Sequence, residues 1–176
     1  SGDYFDFFEI DNTHLGVVIA DVSGKGVPAS LITAMCRSVV RANSSGKLSP
    51  SEVLSRANCQ LFPDIREDMF ISLAYLVLEA DNPVIKLARA GHDPPLHYKA
   101  VEKSVTAVQS PGIAIGIDAG NVFDKVIQDE ELKLLPGDIL LLHTDGVNEA
   151  TNQHGEEFGL ERLYQALTSA APQGAT

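Results

Sequence analysis

Two aspartates in this chain sit where a fold would put them on display. Asp21 follows the apolar run Leu15-Gly16-Val17-Val18-Ile19-Ala20 and opens the turn Asp21-Val22-Ser23-Gly24-Lys25-Gly26. Asp145 follows Ile139-Leu140-Leu141-Leu142-His143 and opens Thr144-Asp145-Gly146. A buried strand fixes the backbone behind such a residue, and glycines let backbone and solvent come close to its carboxylate. Two carboxylates brought together repel unless a cation lies between them, and hard divalent ions suit an all-oxygen donor set. Pattern alone also allows a plainer use, because aspartate ends strands in turns throughout antiparallel proteins; by that measure the turn reading outweighs the metal reading. Asp3 and Asp6 stand three residues apart at the start of the first strand-like run. Alternation sends them to opposite faces, so at most one can serve a shared site. Surface placement is the default for both, and Asp3 has the more room for a ligand because Gly2 precedes it.

Other chemistries fail on spacing. Ser23-Gly24-Lys25-Gly26 resembles part of a phosphate loop, but a Walker motif needs glycine where Ile19 stands. Asp11-Asn12-Thr13 lacks the later ligands and the glycine of a calcium loop. His92 and His97 flank Asp93-Pro94-Pro95 with no cysteine to join them, so a loop anchor is the better reading than a zinc pair. There is no Gly-x-Ser-x-Gly elbow, and Cys59 has no paired histidine nearby. Lys25 reads as solvated surface.

The elements that must position the aspartates follow from periodicity. Tyr4 to Ile10 and Leu15 to Ala20 read as a hairpin around Asp11-Asn12-Thr13-His14, the second strand covered on both faces. Leu31, Ile32, Met35, Cys36, Val39 and Val40 predict a helix that ends at Ser44-Ser45-Gly46. Ser49-Pro50-Ser51-Glu52 caps a second helix, with Val53, Leu54, Ala57 and Leu61 as its buried stripe. Strands are then expected over Phe70 to Leu78, Val84 to Ala90, Leu96 to Tyr98, Val105 to Val108, Val122 to Gln128 and Ile139 to His143, with a closing helix through Leu160, Leu163, Tyr164 and Leu167. Both cysteines fall in helical patterns and read as buried free thiols of a reducing compartment, the cytoplasm. Hairpins interrupted by helices predict an α+β fold rather than a parallel α/β one. The 176 residues, 44% of them hydrophobic and 21% charged, suit one domain spanning the whole chain. A formal net charge of −11 argues against nucleic-acid binding, and no apolar run reaches the roughly 20 residues of a membrane span.

Taken in order, four stretches resemble the sporulation-stage-II-E-like branch of the metal-dependent, type 2C protein phosphatases. They are Ser1-Gly2-Asp3-Tyr4-Phe5-Asp6, Ala20-Asp21-Val22-Ser23-Gly24-Lys25-Gly26-Val27-Pro28-Ala29, Ala90-Gly91-His92-Asp93-Pro94-Pro95 and Thr144-Asp145-Gly146-Val147-Asn148-Glu149-Ala150; Gly155-Glu156-Glu157-Phe158-Gly159 also fits. The resemblance implies a two-layer antiparallel β sandwich flanked by helices, with two Mn²⁺ or Mg²⁺ ions at its edge. It implies that Asp21 bridges the ions, the Val22 carbonyl ligates one, Asp145 holds the other, and Asp3 ligates directly or through bound water. A metal-bridging water then attacks phosphoserine or phosphothreonine in line. Asn148 and Glu149 would support the site from behind, and Gly91-His92 would be a structural loop. The implied partners are a phosphorylated protein substrate, an anti-sigma-factor antagonist in similar systems, and an upstream sensory or receiver module; a homodimer is compatible with the resemblance. The family pattern also has a strand before the first motif and a closing Asp-Asp segment after the last. By that comparison the domain is truncated at both ends, and the stretch alone would bind one metal weakly or lack activity. A partner-binding module without catalysis, and a hydrolase of small phosphoesters, are the rival readings.

Overall fold

A computed structural model describes residues 2–46 and 48–173 of the chain. In chain order the elements are β1 (Tyr4–Glu9), β2 (His14–Val22), α1 (Val27–Ser44), α2 (Pro50–Leu61), β3 (Ile71–Glu79), β4 (Val84–Ala90), β5 (Leu96–Lys99), β6 (Ser104–Ala107), α3 (Phe123–Val126), β7 (Glu130–Lys133), β8 (Ile139–Leu141), α4 (Asp145–Asn148) and α5 (Leu160–Ala170). All strand pairs are antiparallel, so the fold is α+β as the sequence predicts. The chain forms two compact units, one from Ser1–His92 and Ser110–Lys133, the other from Asp93–Gln109 and Leu134–Thr176.

The first unit is a five-stranded sheet in the order β1-β2-β3-β4-β7 with α1 and α2 against it. Its core collects Val18, Ala20 and Val22 of β2, Ile71, Leu73 and Tyr75 of β3, Ile32, Cys36 and Val40 of α1, and Val53, Leu54, Ala57 and Leu61 of α2. The β1–β2 turn is built by Asp11, whose Oδ1 accepts from the Thr13 and His14 amides at 2.8 and 2.9 Å. The Thr13 amide is the main reason its carboxyl drops to about 2. β2 itself is covered fully on one face only, with Leu15 36% exposed, so its apolar run overstates its burial.

Helix α2 forms as its cap predicts, with Ser49 Oγ accepting from the Glu52 amide at 3.2 Å and Pro50 in the first turn. In α1 the buried stripe is Ala29, Ile32, Cys36, Val40 and Ser44, rotated from the expected one, and Leu31 is 61% exposed. Cys36 is buried, which pushes its thiol up to about 12, whereas Cys59 faces solvent and corrects the expectation that both are buried.

The expected strand over Val122 to Gln128 is instead helix α3. Asp118 Oδ1 gathers the amides of Gly120, Val122 and Phe123 at 2.9, 2.7 and 3.1 Å, closing the chain into a turn that buries Phe123 and Ile127 four residues apart. The edge strand that pairs with β4 comes later, as β7.

The second unit holds the three-stranded sheet β6-β5-β8 and helix α5. Asp138 anchors its β8 entry turn: the carboxylate accepts from the Leu135 and Ala100 amides at 3.0 and 2.8 Å and from His97 Nε2 at 3.0 Å. These bonds, led by Leu135, hold its carboxyl below the ordinary carboxylate range. β8 is three half-buried residues, shorter and wetter than the buried strand expected over Ile139 to His143. In α5 only Leu163 of the expected stripe is fully buried.

Candidate metal centre

Asp21 is the penultimate residue of β2, where it pairs across the ladder with Ser72 of β3. Asp3 lies one residue ahead of β1 and is exposed. Their carboxylate oxygens come within 4.8 Å of each other. Gly2, just before Asp3, packs closely on the end of β2. Its carbonyl accepts from the Val22 amide at 3.3 Å, tying the strand entry to β2, and lies 3.4 Å from Thr33 Oγ1 of α1, whose hydroxyl also reaches the Ala29 carbonyl at 2.8 Å. A Cβ on Gly2 would stand 2.2 Å from the Val22 carbonyl oxygen and 2.8 Å from Asp21 Oδ1. The Asp21 carboxylate and the Val22 main-chain carbonyl thus come together beside Gly2, and with the nearby Asp3 carboxylate they offer oxygen donors suited to a hard divalent cation.

The loop after Asp21 is tied to β3. The Ser23 amide donates to the Phe70 carbonyl at 2.9 Å, and Ser23 Oγ accepts from the Phe70 amide at 2.8 Å. Ser72 Oγ donates to the Asp21 carbonyl at 3.4 Å and lies 2.9 Å from His92 Nδ1. Reasoning from the sequence did not single out Ser72, since only the strand register sets it opposite Asp21.

Asp6 has a different job from Asp3. Its carboxylate accepts from Arg41 Nε and one terminal guanidinium nitrogen, both at 2.6 Å, and from the Tyr4 hydroxyl at 2.9 Å; Arg37 is 3.4 Å away. The Arg41 bonds are the main cause of an Asp6 carboxyl held below its ordinary value. Asp6 therefore clamps β1 to α1.

Asp145 belongs to the second unit, where it is exposed as the first residue of α4, after Thr144. Lys25 is exposed. His92 and His97 are both buried, but each is engaged separately, His92 with Ser72 and His97 with Asp138.

Comparison with known proteins places the chain as a whole. The family model described as stage II sporulation protein E matches residues 11–176. Phosphoserine phosphatase RsbU of Bacillus subtilis is 30% identical over 175 residues, which cover 98% of this chain and 51% of RsbU. The chain thus spans about half the length of that relative. Among solved structures, the RsbU and RsbW domains of Rv1364c from Mycobacterium tuberculosis superpose with a TM-score of 0.80 at 23% identity, over 97% of this chain and 47% of that one. The SiaA-PP2C domain of Pseudomonas aeruginosa gives 0.77 at 22% identity, over 98% and 67%. These two likenesses establish a type 2C phosphatase fold.

Proposed function

The chain belongs to the stage II sporulation protein E family, and from that premise we propose that it is the catalytic part of a metal-dependent phosphatase acting on phosphoserine or phosphothreonine in a regulatory protein. The observation that carries this reading is the close approach of the Asp3 and Asp21 carboxylates, with Gly2 packed so tightly on the Val22 carbonyl and Asp21 that it leaves no room for a side chain. Asp21, Asp3 and the Val22 carbonyl would hold a divalent ion, and Asp145 would serve as a further ligand, toward Mn²⁺ or Mg²⁺ and with two ions in the complete site. A bound divalent cation supplies positive charge that acidifies water and offsets the charge on phosphoryl oxygens.

This chain's own residues supply the rest. The β2 ladder holds Asp21 so that little reorganisation is needed on binding. Gly2 packs closely on the end of that strand, and the Ser23 tie to Phe70 holds the following loop in place. No covalent attachment of the phosphoryl group to the chain is required, which agrees with the lack of a Ser or Cys nucleophile motif.

RsbU is named a phosphoserine phosphatase. By analogy the substrate here is a phosphorylated switch protein such as an anti-sigma-factor antagonist, in the cytoplasm, with an upstream sensory or receiver module controlling the activity. Both compact units are read as parts of one catalytic domain. A relative named as a phosphoserine phosphatase favours this reading over the non-catalytic alternative.

The deciding experiment measures hydrolysis of p-nitrophenyl phosphate and of a phosphoserine protein with Mn²⁺, with Mg²⁺ and with EDTA. Turnover should need the metal and should disappear in Asp21→Asn. Equal turnover in EDTA would refute the reading.

A further inference from the structure

Ser72 and His92 form a chain of hydrogen bonds that ends on the main chain of Asp21. Ser72 Oγ reaches the Asp21 carbonyl at 3.4 Å and His92 Nδ1 at 2.9 Å. A serine hydroxyl has one hydrogen to give. With that hydrogen on the Asp21 carbonyl, the second contact needs an N–H on His92 Nδ1 donating to a lone pair of Oγ. The bonds then run in one direction, from imidazole to hydroxyl to carbonyl, an arrangement that requires the tautomer with its proton on Nδ1.

The imidazole is built in. His92 is 4% exposed. Its carbonyl accepts from the Arg89 guanidinium, which also donates to the Ser110 carbonyl at 2.8 Å. The preceding Gly91 has φ of 67°, and a Cβ there would stand 2.7 Å from the Ala114 amide nitrogen, so only glycine lets the chain leave β4 by this path.

We infer that Ser72 and His92 are positioning residues for the proposed metal centre. The relay holds the end of β2, and with it the Asp21 carboxylate, in the orientation that ligation needs. The inference rests on the metal reading of Asp3 and Asp21. Groups that orient a ligand from behind typically alter metal affinity about 10- to 100-fold when removed.

The test uses this chain with two readouts. In metal-free protein, the nitrogen-15 NMR spectrum of the His92 ring should show a proton on Nδ1; a ring protonated at Nε2 alone overturns the relay whatever the metal does. Calorimetric titration with Mn²⁺ should then show affinity about tenfold weaker in Ser72→Ala and in His92→Leu. Ser72→Thr, which keeps the hydroxyl, and His92→Asn, whose amide can donate from near the Nδ1 position, should stay within about threefold of the unsubstituted chain, since each retains the bond. Melting curves in EDTA identify any variant that has lost its fold; if His92→Leu does, the Ser72→Ala and Ser72→Thr pair decides. Unchanged affinity in Ser72→Ala, or equal loss in Ser72→Ala and Ser72→Thr, overturns the inference alone. Failure of the unsubstituted chain to take up Mn²⁺ overturns the metal reading, and the inference with it.

Discussion

Asp3, Asp6 and Asp21 show how little residue type decides by itself. Asp6 sits between two arginines and a tyrosine hydroxyl and is thereby a clamp, while Asp3 and Asp21 bring carboxylate oxygens within 4.8 Å of each other. Replacing Asp21 by Asn should reduce metal-dependent turnover by about a hundredfold or more, because the amide oxygen carries no net charge for the cation. Circular dichroism and melting should meanwhile show a retained fold. Asp6→Asn should behave the other way, sparing the metal response but lowering stability at pH 7 by about 1 kcal/mol, since a largely neutral contact replaces a charged one. The pH dependence follows from the direction of the shift. A carboxyl held below its ordinary value stabilises the fold fully above about pH 4 and stops doing so as pH falls through the lowered value. Urea titrations should therefore show the wild-type advantage over Asp6→Asn at pH 7 and its shrinkage toward pH 3.

At the scale of elements, local chemistry competes with periodicity. Helix α2 has a capping serine, a first-turn proline and a clean apolar stripe, and all three point the same way. Leu54 is fully buried at its centre, so Leu54→Ala should cost about 2–5 kcal/mol in chemical denaturation, the range for a truncated core leucine. The segment around Phe123 is the opposite case. Its β-branched and aromatic residues suggest a strand, but Asp118 supplies a side-chain acceptor to three amides and bends the chain into α3. Asp118→Ala should loosen that turn, seen as faster amide exchange at Val122 and Phe123 than at β3 amides. A strand at this position would leave those exchange rates unaffected.

For the molecule as a whole, the net charge of −11 makes cations welcome in general, so specificity must come from the arrangement of oxygens. If the acidic cluster binds Mn²⁺ in the native state alone, saturating metal should stabilise the fold. At a hundredfold excess over the dissociation constant the gain is about 2.7 kcal/mol, equivalent to a rise of about 5–10 °C in melting temperature for a chain of this length. EDTA should reverse it, Asp21→Asn should abolish it, and sodium chloride at matched ionic strength should not reproduce it. None of the described helices is long and apolar enough to cross a membrane.

Much of this was legible in the order of the residues. The four motifs identify the family, and the hairpins and the capped α2 follow from near-neighbour periodicity and turn chemistry, which depend on residues adjacent in the chain. The same information marked Asp3, Asp21 and Asp145 as candidates but left Asp21 divided between a turn and a ligand, because carboxylate spacing along a chain says nothing about distance through space. Tertiary structure decided what rests on register and packing: that Asp3 comes close to Asp21, that Asp6 turns to Arg41, and that Ser72 faces Asp21. β2 and β3 meet only after some fifty intervening residues have folded away, and which side chains end up opposite one another is set by that pairing.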